Sequence, residues 1–215
     1  MDETDRKHHD DKAALLAELQ HRVRNTLASM RAIVRRSAET SESLDEYVMH
    51  LEGRLDAMAR VQNAFVRNPT GGIDLGLLVA NELAACGARE GERFAIDGPS
   101  LQLHPRAAEP FGLALHELAT NALKFGALTN PSGRIAVAWR IEEREDGQHL
   151  LFDWIETGAA LTDTTPPSHR GFGRIVLEEM LLHNLMAQTT FAFRPEGLSC
   201  SIDLPSTERI LNVVR

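Results

Sequence analysis

Leu16, Leu19, Val23, Leu27, Met30 and Val34 follow one another at spacings of 3, 4, 4, 3 and 4 residues. At about 100° per residue they gather into a stripe roughly 80° wide, the narrow seam of a helical bundle or coiled coil. A second series, Leu44, Tyr47, Val48, Leu51, Leu55, Met58, Val61 and Phe65, predicts another long helix over residues 44–66. Between the two, Glu39-Thr40-Ser41-Glu42-Ser43 breaks the pattern and offers Ser41 or Ser43 as an N-cap. Two long amphipathic helices on a short loop make an antiparallel hairpin. One hairpin cannot enclose its own core. The seam is therefore expected to meet a second copy in a four-helix homodimer, or to lean on the rest of the chain in a monomer.

Charge is distributed unevenly over this region. The chain has 215 residues and a net charge of −8, which argues against a general nucleic-acid binder. Aromatic residues are 5%, too few for extended base-stacking surfaces. Residues 19–38 nevertheless hold Arg22, Arg24, Arg31, Arg35 and Arg36 with no Asp or Glu, leaving −13 for the remainder. His21 lies among these arginines, roughly 140° from the centre of the seam, and so faces away from the packing stripe. Residues 1–12, with five acidic and three basic side chains, read as a flexible, solvated lead-in. No apolar run approaches a bilayer span and no secretory signal is visible, so a cytoplasmic protein without membrane insertion is expected. Cys86 and Cys200 form neither a disulfide framework nor a zinc pattern.

Asn68-Pro69-Thr70-Gly71-Gly72 is the clearest linker. It divides a hairpin over residues 13–68 from a mixed domain over 73–206, with a tail at 207–215. Helices are expected over 74–86, up to about 126 and, after a loop over 157–172, on to about 185, with Pro110 in the first turn of the middle one. Strands are expected over 94–97, 134–141, 149–156, 189–194 and 198–204. Strand pairs grouped beside helices, without regular βαβ alternation, predict an α+β sandwich.

Two places in that domain carry chemistry. Phe111, Leu115, Leu118, Ala122 and Phe125 form the expected buried stripe of the middle helix. Glu117, Asn121 and Lys124 share a second face, about 110° round. A carboxylate, a carboxamide and an ammonium one turn apart suit a magnesium–polyphosphate complex, although taken alone such a triad is more often a solvated helix flank. Glu156 ends a strand whose Leu150, Phe152 and Trp154 point the same way, and a carboxylate at the inner end of an apolar strand needs a partner or ligand. Gly158, then a loop, then Gly171-Phe172-Gly173 at a helix start would let backbone N–H groups approach phosphate.

In this order the motifs resemble the HWE subgroup of sensor histidine kinases. Glu18-Leu19-Gln20-His21-Arg22-Val23-Arg24-Asn25-Thr26-Leu27 resembles its phosphoacceptor box. His116-Glu117-Leu118-Ala119-Thr120-Asn121-Ala122-Leu123-Lys124-Phe125-Gly126-Ala127-Leu128 resembles its N-box, and Trp154-Ile155-Glu156 supplies the remaining letters. Arg170-Gly171-Phe172-Gly173 and the closing strands fit as well, so the resemblance runs over residues 13–205.

The resemblance implies a dimerisation and phosphotransfer hairpin followed by a Bergerat-type (GHKL) ATP-binding sandwich. It makes His21 the phosphoacceptor, Asn121 the magnesium ligand, Glu117 a helper for metal or water, and Lys124 a phosphate contact. Glu156 would hydrogen-bond the adenine amino group, and Gly158, Gly171 and Gly173 would shape the site and its lid. The activity implied is autophosphorylation from Mg-ATP, then transfer to an aspartate of a response-regulator receiver domain. His116 has no evident chemical role, and packing is expected of Trp154. Ala159-Ala160 departs from the family's further glycine, and Phe125 from its common tyrosine. With Arg22 after the phosphoacceptor, Glu18 one turn earlier is the base to consider. A non-enzymatic phosphotransfer protein with a vestigial ATP domain is the alternative, and the retained Asn121, Lys124, Gly171 and Gly173 weigh against it.

Overall fold

A computed structural model describes the backbone of residues 3–68, 72–159, 171–207 and 210–211, and the side chains of Gln20 and of these residues from Val23 onward. Helix α1 spans Glu3–Thr40 and α2 spans Leu44–Arg67. No glycine or proline precedes Gly53, and once a helix is nucleated each further residue adds a hydrogen bond at little cost. The helix therefore takes in the polar residues from Glu3 onward. Ser43 is the N-cap of α2, its Oγ accepting the Glu46 N–H at 3.1 Å. Glu46 in turn accepts the Glu42 N–H at 2.9 Å. Ser41 instead donates to the Ser37 carbonyl at 2.8 Å.

The chain separates into two compact units, Met1–Leu55 and Asp56–Arg215, so the division falls inside α2. In the first unit the buried Arg54 donates to Ser37 Oγ at 2.7 Å, tying α2 to α1. Ile33 and Ser37 are buried, whereas Val23, Leu27, Met30 and Val34 of the seam are exposed. The remainder of α2 packs within the second unit. Ala57, Met58 and Val61 are buried there, and Gly112 leaves just enough room for Val61, whose Cγ2 would lie 2.6 Å from an added Cβ.

The second unit continues with β1 (Ile73–Asp74), α3 (Leu75–Ala85), β2 (Phe94–Asp97), β3 (Gln102–Leu103) and α4 (Pro105–Lys124). After a 3₁₀ turn at Ala127–Thr129 come β4 (Arg134–Arg144) and β5 (Gly147–Thr157). A helical run follows as Phe172–Arg174, a π-helical Ile175–Met180 and Leu181–Leu185, then β6 (Gln188–Arg194) and β7 (Gly197–Pro205). The five-stranded sheet has the order β2-β4-β5-β7-β6. Only the β2–β4 pair is parallel. The alternating residues Ile135, Val137 and Trp139 of β4 and Leu150, Phe152 and Trp154 of β5 are buried. Phe111 of α4 meets Phe152 edge-on with ring centroids 5.1 Å apart, which sets α4 on that face. This is the expected α+β arrangement.

Two expectations about α4 are corrected. Pro105 occupies its first turn, with His104 as N-cap, so Pro110 lies in the second turn and removes one backbone donor there. Phe125 is 72% exposed and not part of the buried stripe. Its backbone leaves the helix at φ −135°, ψ −14°, and the 100° periodicity ends with it.

Candidate active site

The helix α4 carries Glu117, Asn121 and Lys124 in successive turns. Glu117 is buried, Asn121 half-buried and Lys124 exposed at the last helical residue. Gly173 closes over the first two: an added Cβ there would meet Asn121 Nδ2 at 3.2 Å and Glu117 Oε2 at 3.3 Å. The N-terminal end of the helical run is thus brought onto the acidic and amide side chains of α4. Gly171 caps that run in extended backbone, exposed, with nothing within 4 Å of an added Cβ. The intervening residues 160–170, on which the expected lid falls, lie outside the described residues.

Glu156 is built into the other side. It is 3% exposed and accepts two hydrogen bonds, from the Ala127 N–H at 2.8 Å and from Trp154 Nε1–H at 3.1 Å. Burial pushes its carboxyl above the usual range, and these two donors partly offset that shift. Each oxygen keeps a lone pair for a further donor. Trp154 therefore does more than pack: residues i and i+2 share a face of β5, so the indole N–H reaches the carboxylate. The spacing Trp-x-Glu held that signal, whereas the Ala127 N–H had no signature in sequence.

Glycines bring these backbones together. A Cβ at Gly126 would overlap Glu156 Oε2, and one at Gly197 would overlap the Glu156 carbonyl. Gly158, at φ +78°, lies against Gly133, with 2.9 Å from an added Cβ to the Gly133 Cα. Asn130 Nδ2 donates to the Gly158 carbonyl at 2.9 Å.

His116, adjacent to Glu117, turns away toward α3. Its Nδ1 lies 3.4 Å from Glu82 Oε2, and Arg60 grips the same carboxylate through two bonds of 2.7 Å. Burial raises the Glu82 carboxyl, but the hydrogen bonds from His116 and Arg60 outweigh it and hold the group below its ordinary value. This histidine anchors the helix that carries the site.

His21 lies on α1 in the first unit, and its side chain is outside the described residues. Glu117, Asn121, Gly173, Glu156 and Gly158 all belong to the second unit. Among the described residues no helix is long and apolar enough to cross a membrane.

Residues 18–100 match the family described as HWE histidine kinase. The chain is 29% identical over 208 residues to a blue-light-activated histidine kinase of Brucella anthropi, covering 96% of this chain and 42% of that protein. It is 28% identical over 211 residues to the protein of the same description from Brucella ovis, covering 98% of this chain and 43% of that one. The chain thus spans about two-fifths of the length of the curated relatives it matches. Among solved structures, the blue-light activated histidine kinase of Erythrobacter litoralis EL346 superposes with a TM-score of 0.62 at 22% identity, over 89% of this chain and 59% of that one. Its histidine kinase domain alone gives 0.57 at 17% identity, over 85% of this chain and 96% of the domain. At these identities the likeness is one of fold. Residues 18–100 thus match the HWE histidine kinase family, and the chain is similar over nearly its whole length to histidine kinases.

Proposed function

We propose that this chain is the catalytic core of a two-component histidine kinase, which phosphorylates His21 from Mg-ATP and passes the phosphoryl group to a receiver-domain aspartate. The observation that carries the reading is the approach of Gly173 to both Glu117 and Asn121, with the buried, doubly hydrogen-bonded Glu156 in the same unit. A vestigial ATP domain would not need to keep these groups together.

In this reading ATP is the substrate. Glu156 accepts from the adenine amino group, a role for which its remaining lone pairs and dry surroundings suit it. Lys124, exposed at the end of α4, neutralises phosphate. The backbone at Gly171 and Gly173 approaches the phosphates. Glu117 and Asn121 present the oxygen donors a hard cation takes, and Gly173 keeps the space beside them open. Magnesium, when bound, would supply charge neutralisation at the polyphosphate. A His21 ring nitrogen then attacks the γ-phosphorus in line, the bond to the bridging oxygen breaks, and ADP leaves. The arginines around His21 lower the cost of placing phosphate on α1 and suit an acidic receiver surface.

The exposed row Val23, Leu27, Met30 and Val34 supports dimerisation through the hairpin, a second copy covering a stripe at bundle spacing. Sedimentation should give a dimer that Leu27→Glu converts to monomer.

Incubation with γ-labelled ATP and magnesium, followed by mapping of the modified residue, tests the kinase reading. Acid-labile label on His21, lost in His21→Ala, is expected. Acid-labile label persisting in His21→Ala would overturn the phosphoacceptor. Unchanged magnesium-dependent ATP binding by Asn121→Ala would remove the metal role.

A further inference from the structure

Arg93 immediately precedes β2, far in sequence from the residues assigned to the site. Its backbone carbonyl accepts the Ile135 N–H at 3.0 Å, which fixes it beside the start of β4. Its guanidinium then gathers the carbonyls of one short segment. Nε donates to Gly133 at 3.2 Å, and Nη2 faces Asn130 at 2.8 Å and Ala127 and Leu128 at 3.4 Å each.

The same segment carries two contacts toward the nucleotide side. The Ala127 N–H donates to Glu156 Oε2, and Asn130 Nδ2 donates to the Gly158 carbonyl. It has no slack to shift: a Cβ at Gly133 would overlap the Ala127 carbonyl, and one at Gly126 would overlap Glu156. A planar guanidinium with fixed donors can hold several carbonyls in one geometry, and a single ammonium cannot do this equally well.

We propose that Arg93 is a positioning residue for recognition of the nucleotide base. By gathering the carbonyls of residues 127–133 it keeps the Ala127 N–H on Glu156, and so holds that carboxylate where it accepts from an exocyclic amino group and rejects a keto oxygen. This rests on the reading of Glu156 as the adenine contact. The carboxylate is an acceptor only, so adenine, with an amino group, satisfies it, and guanine, with O6 in the corresponding place, sets two acceptors against each other.

The test is competition of ATP and of GTP, with magnesium, against a fluorescent trinitrophenyl-ATP probe on the full 215-residue chain. Arg93→Ala should lower the ratio of ATP to GTP affinity about tenfold, and Arg93→Lys should lower it less. Should Arg93→Ala fail to fold by circular dichroism, Arg93→Lys carries the test, with a smaller fall in the same ratio. Folded variants with the wild-type ratio, or with ATP and GTP weakened equally, would overturn the proposal, because a merely structural arginine moves both nucleotides together. Glu156→Gln separates the two levels of the argument. A ratio unchanged by Glu156→Gln removes the base-reading role itself, whereas a ratio lost in Glu156→Gln and kept in the Arg93 variants removes only the role of Arg93.

Discussion

Trp154 donates its indole N–H to Glu156 two residues along the same strand, at 3.1 Å, inside a region where both side chains are buried. A buried carboxyl that must remain an acceptor needs such donors, since burial alone drives it toward the neutral form. Trp154→Phe keeps most of the ring and deletes the donor. Adenine-nucleotide affinity at neutral pH is expected to fall roughly five- to tenfold, about the worth of one ordinary hydrogen bond. Titration of ATP binding in wild type and variant would show it.

The raised Glu156 carboxyl has two opposite pH effects. The folded chain binds this proton more readily than the unfolded one, so the group's contribution to stability rises as pH falls through its folded value. In the proposed adenine-binding role the ionised form is the acceptor, so ATP affinity should decline as pH falls through that raised value. Trp154→Phe should shift that decline to higher pH. Dissociation constants measured over the range in wild type and variant would reveal either a shift or none.

Glu82 is 1% exposed and is held by Arg60 and His116. Removing one partner leaves a buried carboxylate short of compensation, which costs several kcal/mol in a dry interior. Because Arg60 is 30% exposed, solvent screens the loss, and Arg60→Ala is expected to cost about 2 kcal/mol in urea unfolding. The Glu82 carboxyl is depressed in the folded state. Its stabilisation is present above the unfolded value of about 4.3 and is lost as pH falls through the folded one. Arg60→Ala should therefore also flatten the acid limb of stability.

His149 lies between Asp203, 2.6 Å from Nδ1, and Asp146, 3.2 Å from Nε2, with Arg144 also on Asp203. The hydrogen bond to Asp203 is the main cause of its raised value, with Asp146 adding to it. The stabilisation is complete below the unfolded histidine value of about 6.5 and disappears as pH rises through the folded one. Melting temperature should fall across that alkaline-side interval in wild type and stay flat in His149→Gln.

Two glycines should behave in opposite ways. Gly133→Ala drives a Cβ into the Ala127 carbonyl and is expected to cost about 2 kcal/mol or more, together with ATP affinity. Gly171 has open space around it, so Gly171→Ala should leave stability within about 0.5 kcal/mol of wild type. Any ATP affinity lost in Gly171→Ala then reports close approach of this backbone to the ligand. Melting curves and ATP titrations of the two variants make the comparison.

The order of elements was legible because periodicity is a local property. The alternation of Leu150, Phe152 and Trp154 and the series from Phe111 to Ala122 report one face of a strand and of a helix directly, and both faces are buried. Phe125 misled because a helix period was carried one residue past the point where the backbone turns.

Sequence by itself determined which side chains are available at helix and strand spacing: Glu117, Asn121 and Lys124 on one flank of α4, and Trp154 and Glu156 on one face of β5. It also marked the basic helix with His21. Tertiary structure decided what each of them meets. Gly173 closes on Glu117 and Asn121 across about fifty residues of chain; Ala127 supplies a backbone N–H to Glu156; and His116 turns to Glu82. Arg93 reaches four carbonyls some forty residues away. Backbone donors and acceptors are the same at every residue, so nothing in the letters distinguishes them until the chain brings them face to face.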